Sequence, residues 1–368
     1  MPMTARSPDE PHRASTPLEL FFDLVFVVAI GQAASAFHHA IVANHAAQGL
    51  LSFAMVFFAI WWAWMNFTWF ASAYDPDDTI YRLMVMVQLT GALILAAGVR
   101  GAFEQSDWLV ITIGYVVMRL AMVSQWLRAA ANDSAHAATA RRYAQGISVV
   151  QVGWIALLFV PPRVMLPMFG LLVLAELAVP VWSERASPTP WHAEHITERY
   201  GLFTIIVLGE SILAATLAIQ AALAAGTALL RLVPLILGGL LIVYSAWWLY
   251  FDSSSSVRLT SFRRVFAWGY GHIVIFISAA AIGTGFAVAV DHATGHASIG
   301  LVASAYALAI PIAVFLLTLW LIQDRCAPER VRWPWLLPVV AVLVLLTPFG
   351  PAPALVMGML MAGAVAGR

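Results

Sequence analysis

The chain has 368 residues, 62% of them hydrophobic and only 10% charged, with zero net charge at pH 7 and a mean hydropathy of +0.85. A soluble domain carries about 25% charged residues, so most of this chain is built for lipid. Neutrality leaves no concentrated excess of cations for phosphate, which excludes nucleic acid as a partner, and the single cysteine, Cys326, excludes an internal disulfide or a multi-cysteine metal centre.

Residues 1–15 are polar and proline-rich without a cleavable signal pattern, and read as a disordered cytoplasmic tail, with the first membrane helix as its own insertion signal. A bilayer core of about 30 Å needs roughly 20 apolar residues in helical form, since only a helix satisfies its own backbone in lipid. Apolar runs bounded by proline, glycine or charge predict an all-α polytopic membrane protein with about twelve transmembrane helices. In the first half they span 18–40, 48–72, 80–99, 107–128, 143–160 and 164–182. A cytoplasmic linker, 183–198, precedes 199–221, 231–251, 264–290, 299–322, 333–348 and 352–367.

The first helix opens on Thr16-Pro17-Leu18-Glu19, the spacing of a capping box with proline in the first turn. Asp23 follows Glu19 by four residues and shares its helix face. Farther on come Gln32, then Trp61-Trp62-Ala63-Trp64 in helix 2, Arg119 near the middle of helix 4 and Glu176 in helix 6. Helix 7 carries Thr204, Glu210 and Ser211; helix 8 carries Trp247-Trp248-Leu249-Tyr250; helix 9 carries His272, Gly283 and Gly285. Pro311 interrupts helix 10 and is expected to kink it.

Fifteen of the nineteen arginines, among them Arg199, Arg258 and Arg330, fall on the side of the N-terminus in this frame. Arg100, Arg163 and Arg231 fall opposite, and Arg119 lies within a helix. By the positive-inside rule both termini are cytoplasmic. The halves also match. Thr16 to Gln32 and Glu198 to Ser211 both run from an acidic opening through aromatics to Gly31-Gln32 and Gly209-Glu210, and each is followed by a tryptophan-rich second helix. Residues 16–182 and 199–368 therefore read as two parallel six-helix repeats.

The segment Pro17-Leu-Glu-Leu-Phe-Phe-Asp-Leu-Val-Phe, the segment Glu198-Arg-Tyr-Gly-Leu-Phe-Thr-Ile-Ile-Val-Leu-Gly-Glu-Ser, the Trp-rich second helix and Tyr81-Arg82 between them resemble the bacterial low temperature requirement A (LtrA) family. The resemblance covers nearly the whole chain and implies a multi-pass protein of the bacterial inner membrane, with no substrate attached to it.

Ionisable groups in a membrane helix are costly and mark function by default. The function expected from them is a transporter or channel for a small ion or solute, coupled to a cation or proton. Asp23 and Glu210 are the binding carboxylates, Gln32, Thr204 and Ser211 the neutral ligands, and Arg119, Glu176 and His272 the supporting charges. Phe22, Trp61, Trp62 and Trp247 form the constriction or packing. Each has a plainer reading: Glu19 as a cap, Asp23 paired with Arg119 to hold helices together, Glu210 bonded across helices to Gln32, and His272 as a neutral core residue. The histidines at the outer helix ends, His38, His39, His45, His292 and His296, read as loop residues or as a weak metal site. No phosphate loop, metalloprotease motif or nucleophile elbow is present, so neither enzyme chemistry nor a cofactor is expected. The partners expected are the lipid bilayer and the small solute, and a homo-oligomer is compatible with the sequence. The rival class is a non-transporting sensor, scaffold or lipid-active membrane enzyme.

Overall fold

The computed structural model describes residues 2–8, 10, 13–254, 262–326 and 332–368. Among these residues there is no strand, and twelve α-helices form: α1 (Pro17–Val42), α2 (Ala46–Ala73), α3 (Thr79–Gln105), α4 (Leu109–Asn132), α5 (Ala137–Ala156), α6 (Pro162–Ser183), α7 (Ala193–Ala224), α8 (Leu229–Ser254), α9 (Phe262–Thr294), α10 (Leu301–Ile322), α11 (Leu336–Leu346) and α12 (Pro353–Gly367). Nine of them, α1 to α4 and α6 to α10, are long and apolar enough to cross a bilayer. The chain is a polytopic membrane protein. The remaining three differ for visible reasons: α5 carries Arg141, Arg142, Gln145 and Gln151, while α11 and α12 are short apolar helices.

Every predicted segment coincides with one of these helices, and the polar ends are where the predictions fall short. Arg100 lies within α3, and Arg141 and Arg142 within α5. Arg199, expected at the first residue of its helix, stands well inside α7, which begins at Ala193. A hydropathy reading stops at the first charge, whereas the helix continues wherever its hydrogen bonds do. Arg258 and Arg330 lie outside the described residues. The α10 helix runs continuously through Pro311.

The helices group into two compact units, residues 1–29 with 59–199 and residues 30–58 with 200–368. In the first, α3 packs on α4, α4 on α5 and α5 on α6. The α3–α4 approach is a backbone-to-backbone contact: a Cβ on Gly91 would meet the Gly114 carbonyl, and one on Gly114 would meet Gly91 and Leu95. Small residues permit such close crossings in lipid. Aromatic pairs set the register of α4 on α5, with Trp126 stacked on Tyr143 at 4.1 Å and Tyr115 edge-on to Trp154 at 6.1 Å. Phe22 stacks on Phe67 at 3.9 Å, and Trp61, Trp62 and Trp64 of α2 are fully buried.

In the second unit α9 packs on α10, α8 on α12 and α10 on α11. Gly283 lies against Ser211 and Gly285 against Ala307, so both glycines serve close packing. Phe37 and Phe53 stack at 4.8 Å, and Tyr200, Trp268, His272 and Phe276 form an aromatic cluster. Trp247 is 46% exposed, with its ring 5.5 Å from that of Phe251. The buried stripe of α8 passes through Ile242, Ala246, Leu249 and Tyr250, and helical periodicity carries Trp247 and Trp248 to the other face.

Candidate functional site

Two buried charge networks lie in the first unit. The first begins at the N-terminus of α1, where the capping box forms as the spacing predicts. The Thr16 N–H donates to the Glu19 carboxylate at 2.8 Å and the Glu19 N–H to the Thr16 hydroxyl at 3.3 Å. Capping is only part of the role of Glu19. Arg199 Nη1 lies 2.9 Å from its Oε1, and His195 Nε2 lies 3.1 Å from the same oxygen. Arg199 then engages Asp23 as a fork, Nε to Oδ2 at 3.1 Å and Nη2 to Oδ1 at 2.6 Å, and Trp64 Nε1 donates to Oδ1 at 2.7 Å. The guanidinium also sits 6.0 Å from the Phe67 ring. Glu19, Asp23, His195 and Arg199 are all 0% exposed. Helical spacing brings them together, since the acids are four residues apart on α1 and the bases four apart on α7.

The nearest charges outside the spans are Arg13 and Asp75. Arg13 donates to the Ala71 and Ser72 carbonyls, capping the C-terminal end of α2 where the helix dipole favours a cation. Burial, with Glu19 nearby, pushes the Asp75 carboxyl up to about 6, against the pull of Arg13 and Arg6.

The second network is Arg119 with Glu176, and it overturns one of the pairings the sequence allowed. Asp23 pairs with Arg199 instead of Arg119. Arg119 Nη2 donates to Glu176 Oε2 at 2.7 Å, as does Trp62 Nε1 at 2.8 Å. Oε1 accepts from the Tyr115 hydroxyl at 2.9 Å and from Trp154 Nε1 at 3.1 Å. Four donors from α2, α4 and α5 thus saturate one carboxylate of α6. Such a group is closed to further ligands.

The other sequence candidates lie in the second unit. Glu210 is half-buried on α7 and has no ion-pair partner among the described residues. Its carboxylate rests where a Cβ on Gly31 would be, so the glycine of one motif accommodates the acid of the other. Ser211 and Thr204 are buried, but their hydroxyls donate to backbone carbonyls, Ser211 to Ala279 at 2.8 Å and Thr204 to Tyr200 at 2.9 Å. Each keeps only its lone pairs for a ligand. Gln32 is exposed. Ser211 also borders a cavity of about 120 Å³ lined mainly by aliphatic side chains of α7, α8 and α9.

His272 is a buried core residue whose Nδ1 lies 2.8 Å from the Trp268 carbonyl, which can only accept, so Nδ1 carries a proton, and whose Nε2 lies 3.1 Å from the Tyr250 hydroxyl. Of the outer histidines, His38 pairs with Asp291 at 2.9 Å.

Sequence reasoning missed Arg199, His195 and Trp64. The signal was present in the four-residue spacing of His195 and Arg199, which mirrors Glu19 and Asp23.

The contact at Gly31 gives a direct test. Gly31→Ala is expected to re-aim the flexible Glu210 side chain with little loss of stability, and to change the rate at which an apolar carbodiimide labels Glu210. Gly209→Ala, where a Cβ meets nothing within 4 Å, leaves that rate unchanged. Mass spectrometry of the labelled peptides distinguishes the two; equal rates would show that Gly31 does not position the carboxylate.

Residues 14–367 match the family described as "Bacterial low temperature requirement A protein (LtrA)". Among curated proteins, "Uncharacterized protein RA0937" of Rhizobium meliloti (strain 1021) is 28% identical over 211 residues, covering 55% of this chain and 50% of that protein. The chain thus spans about half the length of this curated relative. With the match extending over nearly all of its length, the chain belongs to the bacterial low temperature requirement A family.

Proposed function

We propose that this protein is a proton-coupled carrier of a small ion or solute in the bacterial inner membrane, built as twelve spans in two six-helix repeats with both termini cytoplasmic. One observation supports the reading above the others: the charges of the α1–α7 network balance only when it holds a proton. Arg199 is a permanent cation, and two carboxylates face it. With both ionised the three sum to one negative charge, in surroundings where an uncompensated charge is costly. His195, Glu19 and Asp23 are the groups that can hold the balancing proton, His195 and Glu19 touching at 3.1 Å and Asp23 sharing the Arg199 fork. Beyond the network, Arg13 faces Glu19 and Asp75, while Arg6 pairs with Asp75 at 3.7 Å and with Glu10 at 2.6 Å; these two arginines and two outer acids, Asp75 and Glu10, sum to zero, and Tyr81 of α3 adds only a phenol. A group that gains or loses one proton inside a membrane protein can couple a gradient to a conformational change. The Arg119–Glu176 pair is balanced without a proton and serves as a fixed support.

In this reading Glu210, unpaired and next to Ser211, meets the transported cation, with Thr204 on the same helix, and no catalytic role is assigned to any residue. The rival, a non-transporting scaffold or sensor, draws on the complete closure of the α1–α7 network from solvent. Flux in proteoliposomes across a panel of ions, small solutes and pH gradients separates the two. Gradient-dependent flux of at least one species is expected, abolished by Glu210→Gln and made independent of the pH gradient by His195→Gln. Absence of flux for every species tested leaves the scaffold reading standing.

A further inference from the structure

The interior of the α3–α6 bundle has more hydrogen-bonding atoms than the protein satisfies. Arg119 uses Nη2 on Glu176, while its Nε and Nη1 are buried with no partner among the described residues. Gln151 of α5 stands one turn from Trp154, whose ring meets Tyr115, so it falls level with Arg119 along the bundle. Both amide atoms of Gln151 lack partners, as do both of Gln125, which lies about 9 Å beyond Arg119 on α4 at helical rise. Gln88 of α3, with Nε2 unpartnered, fills the interval. The two helices run antiparallel, Gly98 meeting Ile111 and Gly91 meeting Met118, which brings Gln88 level with Ala121 and Met122. Each of these polar side chains is at most 5% exposed.

Buried polar atoms in folded proteins are bonded to protein or to ordered water with few exceptions. The unpartnered set here is mixed, with donors on Arg119, Gln88, Gln125 and Gln151 and acceptors on Gln125 and Gln151. A metal cation would satisfy the acceptors alone, and an anion the donors alone. Since Arg119 and Glu176 already balance, either ion would also bring an uncompensated charge. A small neutral molecule that both donates and accepts satisfies the whole set, and water is the smallest. We propose that the α3–α6 bundle holds a file of bound water molecules running along α4 from Arg119 to Gln125. The file is independent of the α1–α7 network and of any transported species.

Hydroxyl-radical footprinting by X-ray pulses on the intact protein in lipid nanodiscs tests this, because bound water generates radicals beside side chains that bulk solvent does not reach. On α4, Met118 is next to Arg119 and Met122 lies between Arg119 and Gln125; they are 2% and 1% exposed. Met357 and Met361 of α12, both 0% exposed, are the dry references. The expected result is oxidation of Met118 and Met122 several-fold faster than of Met357 and Met361. Equal rates at all four in the wild-type protein overturn the proposal. Thermal unfolding of Gln125→Leu and Gln151→Leu gives a second measure: a lowered Tm supports the file, while a raised Tm, the mark of a relieved dry amide, counts against it.

Discussion

Arg199→Met is expected to cost about 3–5 kcal/mol, the penalty for removing one partner of a buried ion pair. For a unit of this size that is a fall on the order of 10 °C in Tm. The reason lies in how much depends on one guanidinium: Nη1 faces Glu19 while Nε and Nη2 hold Asp23, and neither acid reaches solvent. Its loss strands two carboxylates with only His195, Trp64 and the Thr16 N–H to face them. Arg199→Lys keeps the charge but not the planar fork, and is expected to fall between wild type and Arg199→Met. Adding Glu19→Gln and Asp23→Asn to Arg199→Met removes the stranded charges and is expected to recover more than half of the loss. Thermal unfolding in detergent, followed by near-ultraviolet circular dichroism, measures the series. A Tm for Arg199→Met within about 1 °C of wild type would show that water, and not the arginine, solvates those acids.

The second large effect is expected at Glu176, and it is asymmetric. Arg119→Met leaves a carboxylate that still accepts from Trp62, Tyr115 and Trp154. Glu176→Met leaves a buried guanidinium with no anion and three ring or hydroxyl donors with no acceptor. The first is expected to cost about 3 kcal/mol and the second at least about 5 kcal/mol. The double variant remains well below wild type, because the three neutral donors are still bare; an apolar swap that cures a simple ion pair does not cure this one. A double-mutant cycle on Tm isolates the coupling between the two residues. Equal costs for the two single variants would mean that the three neutral donors contribute nothing.

Much of this architecture is legible in the sequence because lipid imposes one rule on the backbone, and twelve apolar runs follow from it. The capping box is legible for a similar reason: Thr16 and Glu19 interact within one turn, so spacing alone specifies the contact. Pairing across helices is a different matter. The sequence offered Asp23 only Arg119 as its cation, and nothing local to Asp23, Arg119 or Arg199 says which helices become neighbours. Arg199 was also hidden by its own charge, which made it look like the edge of a helix. Trp64 stood out only as part of a tryptophan-rich helix, although its N–H holds Asp23 in place. The exposure of Trp247 was decided by the face that α8 buries, and Tyr250 carried that information three residues away.

The ends of the first unit in sequence carry a consequence for how it is made. Its last residue is Arg199, and the acids that Arg199 neutralises lie on its first helix, with 176 residues separating Asp23 from its cation. During synthesis α1 to α6 are all complete before that cation leaves the ribosome. Until then Glu19 and Asp23 have no arginine to hold them, so α1 either keeps those acids protonated or stays near water at its polar end. Arg119 waits in the same way for Glu176, over a shorter stretch of chain. Final seating of the first helix is therefore a late event in the biogenesis of this protein, set by the arrival of the seventh.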